Sequence, residues 1–232
     1  MKATLRGLLL AAVGTVMLTV SAVAQTPFDQ AVTAYNQRDY ATALRLWRPL
    51  AEQGSPAAQY NLGIMHSNGE GVPLDYSEAA RLYRLAAEQG YASAQYNLGS
   101  AYYQGEGVTK NYAEASKWFR LAADQGDARA QANLGAMYSA GNGVPQSHAE
   151  ALGWLRLAAE QGDASGQFNL ALMYARGSGV PKNYMEAYKW LTLAAAQGDA
   201  KAAEGRDLLR AEMTPAFIAE AERLAAEWKP KK

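Results

Sequence analysis

The chain of 232 residues contains no cysteine. Disulfides, thiolate nucleophiles and cysteine-ligated zinc or iron–sulfur centres are excluded, and an exported fold would have to hold by packing alone. Histidine is almost as scarce. His66 and His148 are the only two, and neither has metal-ligand spacing around it. Charge is sparse and balanced, with 22 Lys+Arg against 22 Asp+Glu and a formal net charge of zero. That balance argues against a general nucleic-acid binder, which carries a basic excess. No glycine-rich stretch continues as Gly-Lys-Ser/Thr, and no nucleophile-elbow pattern occurs. The residues therefore assign no catalytic, cofactor-binding or metal-ligating role.

What the chain has in excess is alanine, 48 residues or about a fifth of the total. Alanine is the strongest helix former and lets helices approach closely, so composition leans all-helical. The start reads as an address. Lys2 and Arg6 precede an uncharged apolar run over residues 7–20, and residues 21–24 end in a small-x-small pattern. These parts in order predict a cleavable signal peptide, cut between Ala24 and Gln25. The run is shorter than the ~20 residues of a membrane-spanning helix. The expectation is an exported protein without a stable membrane anchor after cleavage, periplasmic in the first instance and secreted as the alternative.

A period of 36 residues organises the rest. Gly54, Gly90, Gly126, Gly162 and Gly198 are in step, as are Leu62, Leu98, Leu134 and Leu170, and Gly-x-Gly-Val recurs at 69, 105, 141 and 177. A period of this length means a solenoid or an array. Ala58, Leu62 and Met65 fall on one helical face, with Ser55 as cap and Pro56 in the first turn. A loop over the glycine motif leads to a second helix near Tyr76, with Ala79, Leu82 and Ala86 inward and Gly90 ending it. Four units follow, 55–90, 91–126, 127–162 and 163–198. Residues 25–54 read as a degenerate capping helix pair, and 199–232 as capping helices with a frayed tail at Pro230-Lys231. In the closing helix, Phe217, Ile218, Ala221, Leu224, Ala225 and Trp228 form an apolar stripe. One antiparallel pair cannot bury its apolar faces alone, so the units must stack.

Residues 94–126 carry a motif in full: Ala94, Leu98, Gly99, Tyr102, Gly105, Gly107, Val108, Ala115, Trp118, Ala122, Ala123 and Gly126. This pattern resembles the Sel-1-like repeat family, relatives of the tetratricopeptide repeats. Departures are His66 for Tyr, Thr109 for Pro, Ala171 for Gly, Leu82 for Trp and Gly166 for Ala. The resemblance implies an all-α, right-handed superhelical solenoid of antiparallel helix pairs. It also implies a scaffold that grips a protein or peptide partner in a concave groove lined by the first helix of each pair, here helix A.

Within helix A the columns 60/96/132/168, 64/100/136/172 and 67/103/139/175 vary between copies and lie on one stripe. With the neighbouring Asn61, Asn97, Asn133 and Asn169, this stripe makes Tyr60, Tyr96, Tyr103 and Phe168 the candidate partner-binding groove. Each carboxamide offers a donor and an acceptor to an extended peptide, or else it satisfies its own surroundings. Trp118, Trp154 and Trp190 on the second helix, helix B, are expected to pack between units. Glu78, Glu114, Glu150 and Glu186 sit where an acid favours a helix N-terminus, worth about 0.3–1 kcal/mol. Two alternatives to a scaffold remain at this level: an envelope enzyme acting on peptidoglycan or a β-lactam, and a secreted effector. The partner and the oligomeric state are open.

Overall fold

The computed structural model describes residues 25–231, so the expected signal segment and Ala24 lie outside the described residues. Among the described residues there are twelve helices and no strand. A capping pair, α1 (Pro27–Asn36) and α2 (Tyr40–Glu52), precedes four A/B pairs. These are α3 (Pro56–Asn68) with α4 (Tyr76–Glu88), α5 (Ala92–Gln104) with α6 (Tyr112–Asp124), α7 (Ala128–Ala140) with α8 (His148–Glu160), and α9 (Ala164–Arg176) with α10 (Tyr184–Ala196). Then α11 (Ala200–Ala211) and α12 (Pro215–Glu227) close the array. From α1 to α11 each helix packs on its sequence neighbours, in series, as a solenoid requires, while α12 packs mainly on α10.

Local chemistry sets these limits. Helix A is capped by Ser55, Asp127, Asp163 or Asp199, whose side chains accept from backbone N–H groups of the first turn. Tyr91 stands in the same column and makes no such bond. Helix B is capped by Asp75, Asn111, Ser147 or Asn183. Helix A ends on a left-handed glycine, as at Gly105, whose N–H donates to Ala101 O at 2.8 Å. The second loop glycine has another reason to be glycine. At Gly107, with φ 68°, a Cβ would overlap the Tyr76 carbonyl at the start of the preceding helix B. The loop thus seats directly on the previous unit.

The core runs along the array in columns. Leu98, Leu134 and Leu170 are fully buried, as are Ala115, Ala151 and Ala187. The tryptophan column departs from expectation. Trp190 is buried, but Trp118 and Trp154 are only half-buried. The position one residue on carries the helix B core: Tyr83, Phe119, Leu155 and Leu191 are all buried. Across from it stands a small residue of helix A. At Gly99 a Cβ would come within 2.8 Å of the Phe119 ring.

A buried polar column threads the same core. Gln59, Gln95, Gln131 and Gln167 each donate from Nε2 to a carbonyl of the preceding helix B, at Ala51, Ala87, Ala123 and Ala159. Each also accepts, through Oε1, from the glutamine that ends its own unit. Three of the four recurring acids form ion pairs in the first turns, Glu78–Arg81 and Glu114–Lys117 at the surface and Glu186–Lys189 part-buried. At the far end two expectations change. Phe217 is 55 % exposed, so the α12 stripe buries only Ala221 and Ala225 fully. The tail does not fray at Lys231, whose N–H donates to Glu160 O at 2.7 Å and whose Nζ pairs with the Glu160 carboxylate at 2.9 Å. The last carbonyls of α8 lack a helical partner, and the tail supplies one.

Candidate partner-binding groove

The variable columns all lie on the A helices. The A helices α7 and α9 touch directly. Tyr60 on α3 also lies close enough to feel the charge of Arg129 on α7, two units away. On that face the expected groove residues come together only in part. The Tyr60 ring is half-buried, 5.9 Å from Tyr83 and 5.2 Å from Tyr91. The Tyr96 ring lies 5.8 Å from Phe119, and the Arg129 guanidinium sits 4.2 Å above it. Phe168 is half-buried against the core formed by α9 and α10. These three rings are therefore packed against their neighbours and only partly exposed.

Tyr103 stands apart. It is 37 % exposed, and its ring leans on Tyr112 at 5.0 Å and Phe119 at 6.5 Å. The same column holds Ser67 one unit before and Ser139 one unit after. At each serine a small cleft opens between neighbouring units. One, of about 190 Å³, is lined by Ser67, Tyr83, Asn97 and Ser100. The other, of about 210 Å³, is lined by the equivalent Ser139, Leu155, Asn169 and Leu172. Where the side chain is tyrosine, the ring covers that position.

All four column asparagines are half-buried. Asn169 donates to Ser165 O, one turn back in its own helix, at 3.0 Å. Asn61 and Asn133 form no hydrogen bond among the described residues. Asn97 faces the Tyr83 hydroxyl, which burial pushes up while Ser67 and Asn97 oppose the shift. The column is therefore divided: one carboxamide is satisfied locally and two are free to pair with something else.

Charge in the groove concentrates at Arg129, which no motif singled out. Its guanidinium pairs with Asp127 at 2.7 Å, which holds it above the usual range. Beside it, burial pushes the Asp163 carboxyl up, against hydrogen bonds from the Gly166 and Ser165 N–H groups. The signal for Arg129 was present but faint, a single cation in a column that otherwise reads Ala57, Ser93 and Ser165.

Comparison with known proteins places this architecture. The Sel1 repeat model matches residues 37–55, 56–91, 92–127, 128–163 and 164–199. Among curated proteins no match is found. Among solved structures, a Sel1 repeat protein from Oxalobacter formigenes is 32% identical, with a TM-score of 0.76 over 88% of this chain and 83% of that one. The c5321 protective antigen of uropathogenic Escherichia coli is 35% identical with a TM-score of 0.74. The match covers 87% of this chain but only 45% of the antigen, so the chain spans less than half of its length. An immunity protein from Pseudomonas aeruginosa, 21% identical with a TM-score of 0.52, shares the fold.

Proposed function

The chain belongs to the Sel1 repeat family, and on that premise we propose that it is a non-enzymatic scaffold of the cell envelope, holding an extended segment of a protein partner along its A-helix groove. Sel1 repeat proteins serve in general as protein-interaction scaffolds. The observation that carries the groove reading is the pair of equivalent clefts at Ser67/Asn97 and Ser139/Asn169, two units apart on one face. A repeated recess suits a partner that is itself periodic. An extended peptide presents a backbone donor and acceptor at each residue and alternate side chains toward the surface. The carboxamides would pair with its backbone and the clefts would take side chains. Tyr60, Tyr96 and Phe168 would supply apolar contact, and Arg129 would favour an acidic residue in the partner.

The envelope assignment is supported by the charged, apolar and small-residue order of residues 1–24. Edman sequencing of the chain recovered from a periplasmic extract should begin at Gln25; a mature chain beginning at Met1 would reject export by this route. For the groove, a photo-crosslinking residue placed at Asn97 or Asn169 should capture a partner that the same residue at Leu121 does not. The capture should be lost in Ser67→Tyr/Ser139→Tyr, which copies the natural Tyr103 at both clefts. Equal capture from Leu121, or capture that survives the double substitution, would reject the groove.

A further inference from the structure

One cleft lies away from the A-helix groove and is widened by two departures from the repeat. Between α2 and α4, over α3, a cleft of about 680 Å³ is lined by Leu44, Arg48, Leu62, His66, Leu82 and Leu85, among others. That volume falls within the roughly 300–1,000 Å³ typical of ligand sites. Moving 36 residues along the chain identifies what fills the same place in the next unit. There His66 becomes Tyr102 and Leu82 becomes Trp118, and both rings pack against the core of that unit. Moving on again gives Tyr138 and Trp154, then Tyr174 and Trp190. Of the four full units this one alone lacks both rings, and their absence widens the cleft.

An arginine marks the position of the missing hydroxyl. Arg84 donates to the Tyr102 hydroxyl, Arg120 to that of Tyr138, and Arg156 to that of Tyr174 at 3.4 Å. The Arg84 guanidinium also sits 5.6 Å from the centre of the Tyr102 ring, and Arg120 lies 5.5 Å from Tyr138 and 5.6 Å from Trp154. The equivalent residue on α2 is Arg48. Among the described residues Arg48 has no ion pair, no side-chain hydrogen bond and no ring beneath it. His66 is similarly unfinished: its Nδ1 is buried without a hydrogen-bond partner among the described residues.

We propose that this cleft receives a tyrosine side chain presented by a protein partner, which restores the arginine–tyrosine pairing that the chain itself makes across the three later unit boundaries. The ring lies over Leu62 and Leu82, its hydroxyl accepts from Arg48, and the Arg48 charge faces the ring as Arg84 faces Tyr102 and Arg120 faces Tyr138. A leucine or other aliphatic side chain would leave Arg48 unpaired. The site sits between B helices and is independent of the A-helix groove, so either can fail without the other.

The test is an amide-resonance titration of the full-length chain with p-cresol, the tyrosine side chain alone, and with toluene, which lacks the hydroxyl. Saturable shifts centred on Leu44, Arg48 and Leu82 are expected with p-cresol, and weaker binding with toluene. Arg48→Met should raise the p-cresol dissociation constant about two- to fivefold, the range of an exposed cation–ring contact. His66→Tyr/Leu82→Trp, which rebuilds the pair seen in the later units, should fold normally by circular dichroism and abolish the shifts. No saturation in the wild type, binding that survives in the filled variant, or equal binding of toluene would overturn the proposal. Shifts at the same residues on raising protein concentration without p-cresol would assign the cleft to a second copy of the chain and overturn it too.

Discussion

The Gln125 side chain donates from Nε2 to Gln95 Oε1 at 2.7 Å, and Gln95 Nε2 donates in turn to the Ala87 carbonyl at 3.1 Å. This relay ties the end of α6 to α5 within one unit, and α5 to α4 in the unit before. It recurs four times, from Gln89 to Gln197. Because Gln95 is only 4 % exposed, water cannot replace its partners. The relay therefore sets the register between units, a role that packing of small alanines leaves loose.

Replacing Gln95 by Leu keeps the volume and removes both bonds. The Ala87 carbonyl keeps the Gly90 N–H and the Gln125 amide keeps the Leu121 carbonyl, so each lost bond costs about 0.5–1.5 kcal/mol. Urea denaturation should show that loss, while Gln104→Leu, on an exposed turn, should stay within about 0.5 kcal/mol of wild type. Equal stability of the two variants would remove the relay from the list of stabilising features.

Phe119→Ala should cost about 3–5 kcal/mol, because the ring is 1 % exposed and packs against Gly99 and Tyr96. Trp154→Ala should cost less than that, since its ring is only partly withdrawn from water while the Phe119 ring is fully buried. Equilibrium unfolding of the two variants side by side decides it. The reverse order would return the tryptophan column to the core.

Gly90→Ala meets open space and should cost only the left-handed backbone penalty, about 1–2 kcal/mol. Gly107→Ala carries the same backbone penalty and adds the overlap with the Tyr76 carbonyl. Its loss of melting temperature should be clearly the larger of the two. A smaller loss would mean that the loop does not bear on the preceding helix.

Acid should loosen the N-terminal cap first. Glu70 accepts from the Tyr35 hydroxyl at 2.6 Å and the Tyr40 hydroxyl at 3.3 Å, joining α1 and α2 to the loop after α3. The Tyr35 hydrogen bond, foremost, holds the Glu70 carboxyl below its ordinary range. A depressed carboxylate stabilises the fold above its unfolded pKa of about 4.3, and that contribution fades as pH falls through the lower folded value. Glu70→Gln should therefore be less stable than wild type at pH 7, with the gap closing as pH falls below about 4. Thermal melts across that range check it; a gap that stays constant with pH would show that ionised Glu70 adds nothing.

Particular residues mark how far the sequence could be read. The capping serine at 55 was visible, because a cap is a local bond within one turn. The glycines closing helix A were visible for the same reason. Tyr103 could be placed on the inner stripe, but not leaning over Phe119 and Tyr112, because that contact joins two helices. Arg129 was missed because its partners Tyr96 and Tyr60 belong to other units.

The 36-residue period and the order of the helix pairs it implies were determined by the sequence alone, since each follows from local turns repeated in register. The column of helix B that enters the core was decided only by the tertiary structure. Trp118 and Phe119 are adjacent, both aromatic, and about 100° apart around the helix. Both could fill a core, and the crossing of α5 against α6 selects Phe119 because Gly99 opens the space beneath it. The same crossing geometry, meeting His66 and Leu82 in place of two larger rings, leaves open the cleft beside Arg48.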